Sequence, residues 1–148
     1  VIVPSVGVLP KQDLAVILAE SEREGWRFVR RLVDEWECGA NRFDRPGEIL
    51  FVARTGDSII GICGLNIDPY LADDSVGRVR HLYVLRGNRR HGIGRRLVEC
   101  VIEAAEPRFR MLRTRTENPD AARFYERLGF QRVNDIEHCT HILEILST

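Results

Sequence analysis

The chain has 148 residues, 44% hydrophobic and 30% charged, which suits one globular domain with one core. Its 22 basic residues balance its 22 acidic ones, so the sequence as a whole lacks the basic excess of a nucleic-acid binder. No apolar run approaches the roughly 20 residues of a membrane span, which excludes a spanning helix. Cys38, Cys63, Cys100 and Cys139 lie far apart and form no metal-type pair. With no signal-like start, we read them as reduced thiols and expect a cytoplasmic protein without a metal site. Because the sequence opens on Val1 rather than Met, we also expect residues to precede it.

Val1 to Val8 is short and β-branched and reads as a first strand. Pro10 and Lys11-Gln12-Asp13 open a helix in which Leu14, Ile17 and Leu18 recur at helical spacing. Gly25 interrupts, and a second amphipathic run follows through Phe28, Val29, Leu32, Val33 and Trp36, with Gly39 placed to cap it. After a polar loop, Asn41 to Gly47, comes a hairpin: Ile49 to Ala53, a turn at Thr55-Gly56-Asp57, and Ser58 to Leu65. A loop from Asn66 to Gly77 leads into a strand, Arg78 to Leu85. Gly92 to Ala105 reads as a helix with Leu97, Val98, Val101 and Ile102 inward, broken by Pro107. Phe109 to Thr116 reads as a strand, and Asn118-Pro119 starts another helix, Asn as the cap and Pro in the first turn. Gly129 ends it; Phe130 to Val133 and Cys139 to Ile145 read as closing strands. No repeat or linker is present. We expect a single α+β domain over 1–148 with a mixed, mostly antiparallel central sheet.

The stretch Arg89-Arg90-His91-Gly92-Ile93-Gly94-Arg95-Arg96 stands at a strand-to-helix junction. Main-chain N–H groups at a helix start have no internal partner and attract anions. Glycine lets a phosphate reach them without meeting a Cβ. An ordinary basic turn explains the same residues equally well. No Gly-x-x-x-x-Gly-Lys-Ser/Thr occurs, which argues against a nucleotide hydrolase. A dinucleotide fold needs a third Gly where Leu97 stands. Nucleic-acid binding through Arg86 to Arg96 stays as a reading from another class, although the balanced charge leads us to expect no nucleic-acid partner.

A second block follows about two dozen residues later: Asn118-Pro119-Asp120-Ala121-Ala122, then Phe124-Tyr125 and Leu128-Gly129-Phe130. Together with Arg89-x-x-Gly92-x-Gly94 after Leu82-Tyr83-Val84, it resembles the GNAT superfamily of acyl-CoA-dependent N-acetyltransferases. The resemblance runs from Ile49 to Ile145. It implies a GNAT-like domain with helices on both faces of the sheet and central strands that splay apart. It implies acetyl-CoA as cosubstrate. The pantetheine arm would pair with the backbone of Leu82 and Val84, and an N–H near Leu82 or Tyr83 would polarise the thioester carbonyl. The pyrophosphate would lie on N–H groups of Arg90, His91, Gly92, Ile93, Gly94 and Arg95, with Arg89 adding positive potential. Tyr125 would act as the general acid that protonates the leaving thiolate. Asn118 would cap its helix and bond near the pantetheine. A homodimer is allowed.

Direct transfer needs a neutral amine, and many members of the family hold a carboxylate nearby. The two usual positions fall on Arg78 and Arg113, which stay protonated. Candidate bases are then Glu117, His81, and a water route from Asp73 or Asp74; His81 faces the acceptor only if a bulge re-aims it. Period-2 alternation puts Arg78 with Arg80, and Arg113 with Arg115, on shared faces. Arginines facing the acceptor suit a small-molecule amine that also carries a carboxylate or phosphate. A charged face paired with Glu117, Asp73 or Asp74 explains them as well. Acceptor selection would fall to Asn41, Arg42 and Phe43, a loop with no evident packing duty, and to Asn66, Asp68 and Tyr70. Trp26 and Trp36 read as core. Without a base, an acyl-CoA sensor or interaction module on the same fold remains an alternative.

Overall fold

The computed structural model describes residues 1–5, 9 and 11–145. Positions 6–8 and 10, which the expected first strand and helix start include, lie outside the described residues, as do 146–148. In chain order the elements are β1 (Ile2–Ser5), α1 (Lys11–Arg23), α2 (Phe28–Cys38), β2 (Ile49–Thr55), β3 (Ser58–Ile67) and β4 (Val76–Val84). There follow α3 (Ile93–Ala105), β5 (Met111–Thr114), α4 (Pro119–Arg127), β6 (Gln131–Arg132) and β7 (His141–Glu144).

The strands form one seven-stranded sheet in the order β1-β2-β3-β4-β5-β7-β6. Every neighbouring pair is antiparallel except β4 and β5, which run parallel. A parallel pair needs a crossover, and α3 supplies it. The sheet is therefore mixed and mostly antiparallel, as the sequence leads one to expect.

Each helix forms for a reason visible in its spacing. Val29, Leu32, Val33 and Trp36 lie one turn apart and bury one face of α2. Gly39 ends it at φ 83°, its N–H bonded to the Trp36 carbonyl. Asn118 starts α4 by accepting the Asp120 N–H at 2.9 Å, with Pro119 in the first turn. The β2–β3 turn closes on Gly56-Asp57, between paired Thr55 and Ser58.

Two cores flank the sheet. Leu14, Ile17, Val29, Leu32 and Trp36 pack on one face against Leu50, Val52 and Ile62. Leu97, Val98 and Val101 pack on the other against Cys63, Leu65 and Val79, together with Tyr125 and Phe130. Covered on both sides, β3 is buried almost throughout. Ile102, expected inward, is only half-buried, and Ala105 takes the inner place.

One irregularity in the sheet shapes the site. Ile62 pairs with Tyr83 and Gly64 with Arg80, so Cys63 of β3 faces two residues of β4, His81 and Leu82. This is a β-bulge, and His81 holds it in a left-handed conformation at φ 61°.

Candidate active site

Below the bulge β4 has a neighbour on each side; above it, only one. Pairing with β5 covers Val76, Gly77 and Arg78 opposite Met111, Leu112 and Arg113, and then stops. The Thr114 hydroxyl makes one further link, donating to the Val79 carbonyl at 3.0 Å. β5 ends there while β4 continues to Val84. The Leu85 N–H bonds to Ile60 on the β3 side, so by alternation the backbone groups of Val84 and Leu82 face the gap. The Val84 carbonyl is met there by Arg89 Nε at 2.8 Å.

The gap leads to the start of α3. Arg90 and Gly92 are both left-handed, at φ 68° and 80°. No side chain caps the helix, and its first internal bond runs from the Arg96 N–H to the Gly92 carbonyl. The N–H groups of Ile93, Gly94 and Arg95 therefore have no partner one turn back. A Cβ on Gly92 would meet nothing within 4 Å, so its backbone is open to a ligand from outside. Arg90 and His91 stand exposed beside it.

The arginines of this stretch are not all turned to a ligand. Arg89 and Arg86 reach back to Glu24, in the turn just after α1, at 2.9 and 3.0 Å. The bond from Arg89, then that from Tyr83, holds the Glu24 carboxyl below its ordinary pKa. Tyr83 Oη lies 2.7 Å from both Glu20 and Glu24, and its one proton serves one of them at a time. Arg95 and Arg96 pair with Glu99 along the helix. A cleft of about 550 Å³ opens here, lined in part by Glu20, Glu24, Trp26, Arg89 and Asn118. Trp26 is thus a half-exposed wall of a cleft, while Trp36 is core as expected.

Tyr125 sits on α4 between Phe124 and Phe130, ring centroids 5.3 and 5.2 Å away. Burial pushes its phenol pKa up, and a hydrogen bond with Thr114 opposes the rise. Tyr125 is thereby tied to the residue at which the strands part. Behind α4, His141 is buried with Nε2 2.8 Å from Glu126 and Nδ1 2.9 Å from the Thr140 hydroxyl. The sequence reading passed over this histidine, because its partner comes from another element.

At the other end of β4 the arginines divide. Arg78 and Arg113 turn toward the fully buried Asp68, their nitrogens 3.4 and 3.6 Å from its Oδ2. Arg78 also lies under the Tyr70 ring, 4.9 Å from its centroid. Arg80 sits beside Glu35 of α2, 3.8 Å away, and Asn66. Arg115 does not join Arg113, because β5 ends at Thr114 and the alternation ends with it. It is exposed and bonds the likewise exposed Glu117 at 2.7 Å. Asp68, rather than Glu117, Asp73 or Asp74, is the counter-charge of the buried pair. Asp73 instead builds its own loop; the Ser75 hydroxyl, then Arg110, lowers its carboxyl to about 2.

His81 does turn to this face, but it is sealed in. Its Nδ1 lies 3.0 Å from the Phe28 carbonyl, and Nε2 is buried without a hydrogen-bond partner. Burial, with Arg80 adding repulsion, drives its pKa down to about 3. An imidazole so placed takes no proton near neutrality. The loop at 41–43 has the packing duty that its sequence hides. Asn41 and Asn66 bond reciprocally through their amides, Arg42 caps the Trp36 carbonyl, and Phe43 is buried over Gly64. Asn41 and Phe43 thus hold the loop to the sheet, and Arg42, exposed, holds it to the end of α2.

A parallel pair that opens beside an uncapped helix start, with a buried phenol at the fork, is the architecture of a CoA-dependent acyltransferase. Residues 12–130 match the family model described as Acetyltransferase (GNAT) family. The chain belongs to that family. It is 31% identical to an assigned acetyltransferase from Exiguobacterium sp. 255-15, covering 97% of this chain and 92% of that one with a TM-score of 0.82. A GNAT-family acetyltransferase from Staphylococcus aureus Mu50 is 17% identical over 99% of both chains, TM-score 0.75. A Mycobacterium tuberculosis chain solved in complex with CoA aligns over 60% of this chain and 51% of its own, at 21% identity and TM-score 0.50. No group of three or more His, Cys, Asp or Glu side chains able to hold a metal occurs among the described residues.

Proposed function

We propose that this protein transfers an acetyl group from acetyl-CoA to a primary amine of a small, anionic acceptor by direct attack. The observation that carries the reading is the fork: β4 parts from β5 after Arg78, and its free edge at Leu82 and Val84 leads to the uncapped start of α3. Pantetheine amides would pair with that edge, and the pyrophosphate would rest on the N–H groups of Gly92 to Arg95. Arg89 bonds the Val84 carbonyl, so pantetheine would displace it or share that oxygen. The thioester oxygen would take the N–H at Leu82 or Tyr83, where donors held in advance stabilise charge that grows during attack.

Tyr125 then protonates the departing thiolate. Its raised pKa suits that task, because the phenol keeps its proton until the sulfur needs it. His81 is too deeply buried to receive the amine's proton. Glu117 is exposed and bound to Arg115, so it is not aimed into the fork. In this reading the amine arrives neutral and loses its second proton to solvent. Arg78 and Arg113 favour an acceptor that is anionic elsewhere.

Release of free thiol from acetyl-CoA with a panel of amino acids, amino-sugar phosphates and polyamines tests the reading. Binding of acetyl-CoA without thiol release from any amine would leave the sensor alternative. Nucleic-acid binding is disfavoured, since Glu24 pairs with Arg86 and Arg89, and Glu99 with Arg95 and Arg96, which offsets half of that charge. A cytoplasmic setting belongs to the same proposal. It is supported by four unpaired cysteines and by the lack, among the described residues, of any helix long and apolar enough to cross a membrane.

A further inference from the structure

We propose that the negative group of the acceptor, a carboxylate or another compact oxyanion, is held between Arg78 and Arg113 under a lid made by Tyr70 and His138. The proposal deepens the acyl-transfer reading and takes the nature of the ligand from it. Two guanidinium groups here share one oxygen, Asp68 Oδ2, at 3.4 and 3.6 Å. A well-made contact between such groups is nearer about 2.8 Å. Arg113 is 4% exposed, and its Nε is buried with no hydrogen-bond partner; its Nη2 donates to the Glu137 carbonyl at 3.0 Å. Two buried positive charges thus face one negative charge.

Nearby carboxylates do not make up the difference. Glu48 is occupied by the Asn66 amide and the Ile67 N–H, and Glu35 stands beside Arg80. Burial lowers the pKa of Arg78 with Asp68 opposing, the mark of an incompletely compensated charge, although guanidinium stays protonated. A second anion would supply the missing acceptors in the bidentate geometry that arginine favours.

Position and cover support the same occupant. Arg78 and Arg113 are the last paired residues before the strands part, so a ligand anchored there points its other end into the fork. Above Arg78, Tyr70 from the β3–β4 loop stacks on His138 from the β6–β7 loop, centroids 3.9 Å apart and planes 10° from parallel. Tyr70 is 47% exposed, so the stack lies between the buried pair and water. Excluding water strengthens an ion contact beneath it.

The test is calorimetry and thermal shift on the full chain with N-acetylglycine, its neutral methylamide, and inorganic phosphate. The expected result is binding of N-acetylglycine or phosphate and none of the methylamide. Phosphate alone binding would assign a phosphorylated acceptor, N-acetylglycine alone a carboxylate. Arg113→Gln should weaken the binding anion about tenfold or more, while Arg115→Ala should leave it unchanged. Tyr70→Ala and His138→Ala alter side chains at the surface and should weaken it several-fold, which keeps the test open if Arg113→Gln does not fold. Equal binding of acid and methylamide, no binding of either anion, or full affinity in the lid variants would overturn the proposal. Acetyl-CoA titrated into the same samples separates the two readings: its failure to bind removes the acyl-transfer reading and leaves the anion data standing.

Discussion

The two ends of β4 work by opposite means. From Leu82 to Val84, and on into α3, the proposed cofactor side is made of backbone: a free strand edge, two left-handed residues and an uncapped helix. At Arg78 the same strand works through side chains, with charge against charge in a buried cluster. A backbone site depends on glycines and on where a strand stops, and so is written in a short local motif. A side-chain site depends on which loops bring the partners: Asp68 and Tyr70 come from the β3–β4 loop, and His138 from the β6–β7 loop far along the chain.

Substitutions at the two ends should therefore fail in different ways. Tyr125→Phe removes the proton donor at the fork and should lower kcat by roughly 10²–10⁴-fold. Acetyl-CoA affinity, read by calorimetry, should stay within about twofold. Unchanged turnover would remove the phenol from the mechanism. Asp68→Asn leaves two buried guanidinium groups without a counter-charge. It should cost about 3–5 kcal/mol of stability in urea unfolding, and a cost near that of a surface change would mean that the arginines swing into water.

Gly92→Val forces a β-branched residue to φ 80°, which should cost about 1–3 kcal/mol. It should also weaken acetyl-CoA by a similar factor, because the N–H groups of α3 lose their approach; normal affinity would sink the phosphate reading. His81 gives a pH signature. Its pKa falls from 6.5 to about 3 on folding, so below 6.5 the unfolded chain binds the extra proton. Its contribution is complete above pH 6.5 and is lost as the pH falls toward about 3, at roughly 1.4 kcal/mol per unit. Unfolding of His81→Asn, which tolerates the left-handed bulge, should show a shallower slope between pH 6.5 and 5. The smallest effect is Arg115→Ala, which should stay within about 0.5 kcal/mol in urea unfolding.

How far the sequence could be read follows the same division. The α2 stripe, the Gly39 stop, the Asn118-Pro119 start and the β2–β3 turn were legible because each rests on contacts within one element. The face of His81 was not, since a bulge shifts the side-chain alternation and a bulge depends on strand pairing. Arg113 and Arg115 looked alike until β5 ended between them. Asn41, Arg42 and Phe43 read as an idle loop because what they hold, Asn66, the end of α2 and Gly64, is fixed only when the sheet forms.

By itself, then, the sequence determined the order of elements and the two blocks that carry family membership. Periodicity, capping and glycine placement act over a few residues and need no partner. Tertiary structure alone decided that Asp68 lies between Arg78 and Arg113, that His81 is sealed from water, and that Tyr125 meets Thr114 at the fork. Burial and ion pairing arise from elements packed across the sheet, and no local pattern encodes which charge will meet which.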